Sequence, residues 1–106
     1  MTGVQTCALP ICAADLEQYG AVSEQVVLQM AAGVRGSLRA DIGVAVTGIA
    51  GPGGGTPEKP VGLVWIAVHA RDAKARRFHV GGDRAEIRQR AAQAALEMVR
   101  RAVSND

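Results

Sequence analysis

The residues that could build a ligand site are concentrated in one segment, Gly48-Ile-Ala-Gly-Pro-Gly-Gly-Gly-Thr-Pro-Glu-Lys-Pro60. It holds five of the chain's thirteen glycines and three of its four prolines. No helix or strand survives that composition. Glycines after a strand can aim several backbone N–H groups at an anion, a chemistry suited to phosphate. The sharper phosphate signatures are missing: no Gly-Lys-Ser/Thr closes the loop, no helix stands behind it, and no GxGxxG opens a helix. A plain long connection therefore remains an alternative, although a structureless loop of this length in so short a chain favours function.

Around the loop stand three further candidates. Thr47 ends the run Ile42–Thr47, where its hydroxyl could meet a substrate or bond within the sheet. Lys59 could bind a phosphate or be a solvated charge. Arg84, at the start of the last predicted helix, could clamp an anion beside the helix N-terminus or be a surface charge. Other nucleophiles and bases lack partners. His69 and His79 have no carboxylate nearby in sequence, and Ser23 and Ser37 have no visible base. Cys7 and Cys12 lack the additional ligands a metal site needs, so neither a metal nor a cofactor is expected.

Several elements must position these residues. Ser23 fits a helix N-cap, with Glu24 in the first turn. Val26, Met30, Val34 and Leu38, widened by Val27 and Ala31, form an apolar stripe over 23–38. Gly33 and Gly36 weaken that helix and mark close packing or an early end. Residues 15–20 read as a loop or short helical turn. Ile42–Thr47 and Val61–Ala70 read as strands; the second is apolar on both faces, as in the centre of a covered sheet. Residues 71–75 read as a polar connection and 76–80 as a third, more exposed strand. Asp83 can cap a last helix over 84–103 with the stripe Ile87, Ala91, Ala94, Ala95, Met98 and Ala102. The order is that of an α/β sandwich, with about three strands covered by two main helices.

Composition limits the rest. The 106 residues carry a formal net charge of +2 and only three aromatic side chains, which argues against a nucleic-acid surface. No apolar run reaches membrane-spanning length, and the start lacks a basic region typical of a leader; cytoplasm is the expected compartment. Residues 1–12 contain no charge and continue no later pattern. They resemble translated sequencing-adapter DNA and are expected to be non-native, standing in place of upstream sequence. The domain proper is then 13–106.

Two stretches point to a family. Ala40-Asp-Ile-Gly-Val-Ala-Val-Thr-Gly-Ile-Ala-Gly-Pro-Gly-Gly-Gly55 and Glu58-Lys-Pro-Val-Gly62 closely resemble the signature of the CinA C-terminal domain. Gly20-Ala-Val-Ser-Glu24, Gly82-Asp-Arg84 and Ile87-Arg88 are similar to other parts of it. The resemblance implies an α/β sandwich, usually oligomeric. It also implies an amidase that hydrolyses the carboxamide of nicotinamide mononucleotide to nicotinic acid mononucleotide and ammonia, without a metal. The family's Ser nucleophile lies in a Thr-Ala-Glu-Ser-Cys-Thr-Gly-Gly stretch, assisted by a Tyr-x-Asn-x-x-Lys stretch. Neither occurs here, so no catalytic residue carries over and the chain alone is expected to be inactive. What carries over is a substrate-binding wall: Thr47, Gly48, Ala50, Gly51 and Arg84. The implied partner is a small nucleotide. The alternative is a non-catalytic nucleotide-binding or oligomerisation module.

Overall fold

The computed structural model describes residues 13–104. Its elements are α1 (Ala13–Tyr19), α2 (Glu24–Leu38), β1 (Gly43–Gly48), β2 (Leu63–His69), β3 (Ala73–His79) and α3 (Arg84–Ser104). The three strands form one antiparallel sheet in the order β1-β2-β3. Cys7 and Cys12, and the reading of residues 1–12 as non-native, lie outside the described residues.

The continuous apolar run of β2 follows from its central place. Successive side chains of a strand point to opposite faces. Val64, Ile66 and Val68 face α3 and join Ile87, Ala91, Ala95 and Met98 in one core. Ala67 faces the other way and joins Val27, Ala31 and Ala45 in a second core beneath α2. The helices therefore cover opposite faces, giving three layers. Full burial of a side chain such as Ile66, at 0% exposure, contributes about 1.5–3 kcal/mol.

Local chemistry sets the helix ends. Ser23 caps α2: its Oγ accepts from Val26 N at 3.3 Å and donates to the Gly20 carbonyl at 2.8 Å. Arg39 closes the helix in the left-handed region at φ 52°. α3 starts with a reciprocal capping box. Glu86 N donates to Asp83 Oδ1 at 2.9 Å, and Asp83 N donates to Glu86 Oε1 at 3.0 Å.

Several sequence expectations shift. Residues 73–75 belong to β3 because they pair with His69, Val68 and Ala67 of β2, so the polar connection shrinks to a tight turn. Residues 13–19 form a full short helix. Leu38, expected in the α2 stripe, is 73% exposed, because α2 runs past the sheet before it ends. Gly36 is not a packing glycine, since a Cβ there would meet nothing within 4 Å. The close approach is made instead by Gly43, where a Cβ would fall 2.3 Å from the Ala31 carbonyl oxygen. Arg35 then locks the end of α2 to the sheet: its Nη1 donates to His69 Nδ1 at 2.9 Å and to the Ala70 carbonyl at 2.6 Å. A guanidinium only donates, so Nδ1 accepts. His69 is thereby a structural acceptor.

Candidate functional site

The Gly-rich loop leaves β1 at Gly48 and is pinned at its base. Ile49 N donates to the Leu63 carbonyl at 2.9 Å, Gly62 N to the Ile49 carbonyl at 2.7 Å, and Val80 N to the Gly62 carbonyl at 2.9 Å. Two positions need glycine. At Gly51, φ is +78° and a Cβ would sit 2.6 Å from Val61 Cγ1. At Gly62, φ is +97° and a Cβ would sit 2.2 Å from the Val80 carbonyl oxygen. Beyond the base, Thr56 and Lys59 close a small turn: Thr56 N donates to the Lys59 carbonyl at 2.9 Å, and Lys59 N to Thr56 Oγ1 at 3.0 Å. The Gly51–Pro52 peptide is cis.

The structure gathers the five candidate residues at one end of the sheet. Arg84 reaches from the first residue of α3 and its Nη1 donates to the Gly51 carbonyl at 3.0 Å. That bond ties the loop to the helix N-terminus. Gly51 itself is buried, and Ala50 packs against the α3 core. Gly48 lies close over β2, with Leu63 O 2.8 Å from where a Cβ would be. Thr47 Oγ1 donates to the Ala21 carbonyl at 3.0 Å, leaving its lone pairs able to accept.

Sequence reasoning missed the junction between α1 and α2. It meets the site twice, at β1 through Thr47 on Ala21 and at the loop through Lys59, whose Nζ donates to the Tyr19 carbonyl. Lys59 is thus anchored to the junction by one ammonium N–H, with two further N–H groups left as donors. A backbone acceptor leaves no side-chain pattern, which is why the sequence did not reveal it.

The site offers donors rather than a nucleophile. The amides of Gly53, Gly54 and Gly55 make no hydrogen bond within the described residues, and all three glycines are exposed. Arg84 retains further N–H groups. Ser23 is spent as a cap. No group of three or more His, Cys, Asp or Glu side chains placed to hold a metal exists among the described residues. Nor is any helix among them long and apolar enough to cross a membrane. Such a wall can position a polar or anionic ligand; it holds no nucleophile paired with a base.

The family model for the CinA C-terminal domain matches residues 2–103. The chain belongs to the CinA C-terminal domain family. A CinA-like protein of Kosmotoga olearia is 52% identical over 89 residues, covering 83% of this chain and 22% of the relative. One of Gemmatimonas aurantiaca is 51% identical over 104 residues, covering 97% of this chain and 24% of the relative. The chain thus spans under a quarter of these relatives. Among solved structures, the competence/damage inducible protein CihA of Agrobacterium tumefaciens superposes with a TM-score of 0.84 at 44% identity. That match covers 93% of this chain and 62% of the other. A CinA superfamily protein of Klebsiella pneumoniae 700603 gives a TM-score of 0.87 at 29% identity, covering 100% and 67%. The α/β architecture expected from the sequence agrees with these neighbours.

Proposed function

We propose that this chain forms part of the substrate-binding wall of a nicotinamide mononucleotide amidase domain, and that alone it binds the mononucleotide without hydrolysing it. The convergence of Thr47, Gly48 and Gly51 with Arg84 carries this reading, because the CinA signature loop and the start of α3 meet there through one hydrogen bond. The phosphate would lie toward the Arg84 guanidinium and the exposed glycine amides. Arg84 supplies charge-assisted donors, and the glycines allow close backbone approach. Hydrolysis of an amide by covalent catalysis needs a nucleophile beside a base, and the Ser and Tyr/Lys stretches that supply them in the family are missing from this sequence.

Titration with nicotinamide mononucleotide tests the binding half. Arg84→Ala is expected to weaken binding about tenfold, the loss of one charge-assisted hydrogen bond. Undiminished affinity in that variant would remove the wall from the account.

An oligomerisation role has its own observation. β1 is an edge strand among the described residues. It carries no charge, and Val44 and Val46 are 42% and 41% exposed. β3, the other edge, carries Lys74, Arg76 and Arg77, the kind of protection that blunts strand pairing. A second copy pairing through β1 would predict association that Val46→Lys reduces in sedimentation. Unchanged association in that variant would place the contact elsewhere.

A further inference from the structure

A cavity lies at the opposite end of the molecule from the Gly-rich loop. It has a volume of about 320 Å³ and sits between β3, the β2–β3 turn and the last turns of α3. Its floor is apolar, made by Val68, Met98 and Ala102, and its wall carries Lys74, Arg76 and Arg101. Arg84 and Arg101 are seventeen residues apart on one helix, about 25 Å at the usual rise. The cavity is therefore separate from the wall described above, and nothing proposed for it depends on the amidase reading.

Three features make this more than a solvated basic face. First, the strand alternation matters. Lys74 pairs with Val68 and Arg76 with Ile66, so both cations lie on the α3-facing side of β3 rather than on its outer side. Second, their charge is not neutralised within the described residues. Lys74 makes no hydrogen bond or ion pair, and Arg76 stacks on the Phe78 ring at 5.3 Å. Third, Arg101 is held in place. Its Nε donates to Glu97 Oε2 at 3.0 Å, which orients the guanidinium and leaves its Nη groups as donors. Arg71 and Asp72 complete the rim at the turn. Cations from two elements thus surround one concavity with a single carboxylate on its lining. Glu97 offsets the charge of Arg101, while Lys74 and Arg76 lie side by side on one face of β3 with like charges, an arrangement that favours an anion between them.

We infer that this cavity binds a small organic phosphate, a phosphate monoester carried on an apolar body. A dianionic phosphate offers three acceptor oxygens to the cations of Lys74, Arg76 and Arg101. The apolar body lies on Val68, Met98 and Ala102. The volume is at the lower end of the range for small-ligand sites, about 300–1,000 Å³, which limits the body to roughly one ring. A nucleic-acid backbone fits less well, because it needs a track of cations rather than one closed pocket.

The test is a titration of isotope-labelled full chain with phenyl phosphate at low salt, followed by NMR. The methyl signals of Val68, Met98 and Ala102 and the amides of Lys74 and Arg76 are expected to shift together and saturate. Phenol and inorganic phosphate, each carrying half of the recognised chemistry, are expected to bind at least about tenfold more weakly. The exposed double substitution Lys74→Ser with Arg76→Ser should weaken phenyl phosphate by at least that factor, and so should Arg101→Ala, a separate variant on another element. The inference is overturned by any of three results. One is the absence of saturable shifts at these residues. Another is equal binding of phenol or inorganic phosphate. The last is a duplex oligonucleotide displacing phenyl phosphate at equal phosphate concentration.

Discussion

At Gly51 two constraints act on one residue: a left-handed φ and a Val61 side chain where a Cβ would stand. Gly51→Ala is expected to lower stability by about 1–3 kcal/mol, read from the midpoint of urea unfolding. Gly53 lies in the same loop with nothing within 4 Å and no positive φ, so Gly53→Ala should leave the midpoint nearly unchanged. Glu97 allows a second residue-level test. The bonds from Arg100 and Arg101 hold its carboxyl at about 2, against an ordinary value of 4.5. A depressed carboxylate value contributes stability that is present above the ordinary value and is lost as pH falls through the depressed one. The Glu97 carboxyl carbon should therefore titrate near pH 2 in NMR, and move toward 4.5 in Arg100→Ala with Arg101→Ala. Because the pair is solvent-exposed, its share of stability is small. Of the site residues, Arg84 could be placed at a helix start from sequence alone. Its bond to the Gly51 carbonyl could not, because that contact joins residues thirty-three positions apart.

At the scale of elements, the glycines of α2 and β1 have opposite meanings. Gly36 faces open space, so Gly36→Ala should stabilise the chain by about 0.5–1 kcal/mol through helix propensity. Gly43 lies under the Ala31 carbonyl, so Gly43→Ala should destabilise it by about 1–3 kcal/mol through overpacking. Thermal unfolding of the two variants checks both signs. The sequence carried the Ser23 cap, the stripe of α3 and the two-faced burial of β2, because periodicity and capping are local signals. It missed the start of β3. Ala73 and Lys74 look like a turn by composition, and only pairing with β2 makes them strand. Close packing at Gly36 was not met, because a Cβ there would touch nothing, and the close approach at Gly43 was not foreseen, since which glycine meets a neighbour depends on how α2 crosses the sheet.

For the molecule as a whole, one sheet divides two small cores, and its two ends have different chemistry. One end gathers the signature loop, the α1–α2 junction and Arg84; the other gathers cations over an apolar floor. The α/β architecture was legible because Val64–Val68 required cover on both sides. The layer assignment of each helix was not, since a stripe gives a buried face without saying which side of the sheet receives it. We propose that this CinA-family chain holds a mononucleotide at the loop end without cleaving it. The most direct measurement is one NMR titration of the labelled chain with nicotinamide mononucleotide, following protein amides and ligand together. Saturable shifts are expected at Thr47, Gly48, Gly51 and Arg84, with the carboxamide intact throughout. Release of ammonia and nicotinic acid mononucleotide by the chain, or binding that leaves those four amides unmoved, would contradict it.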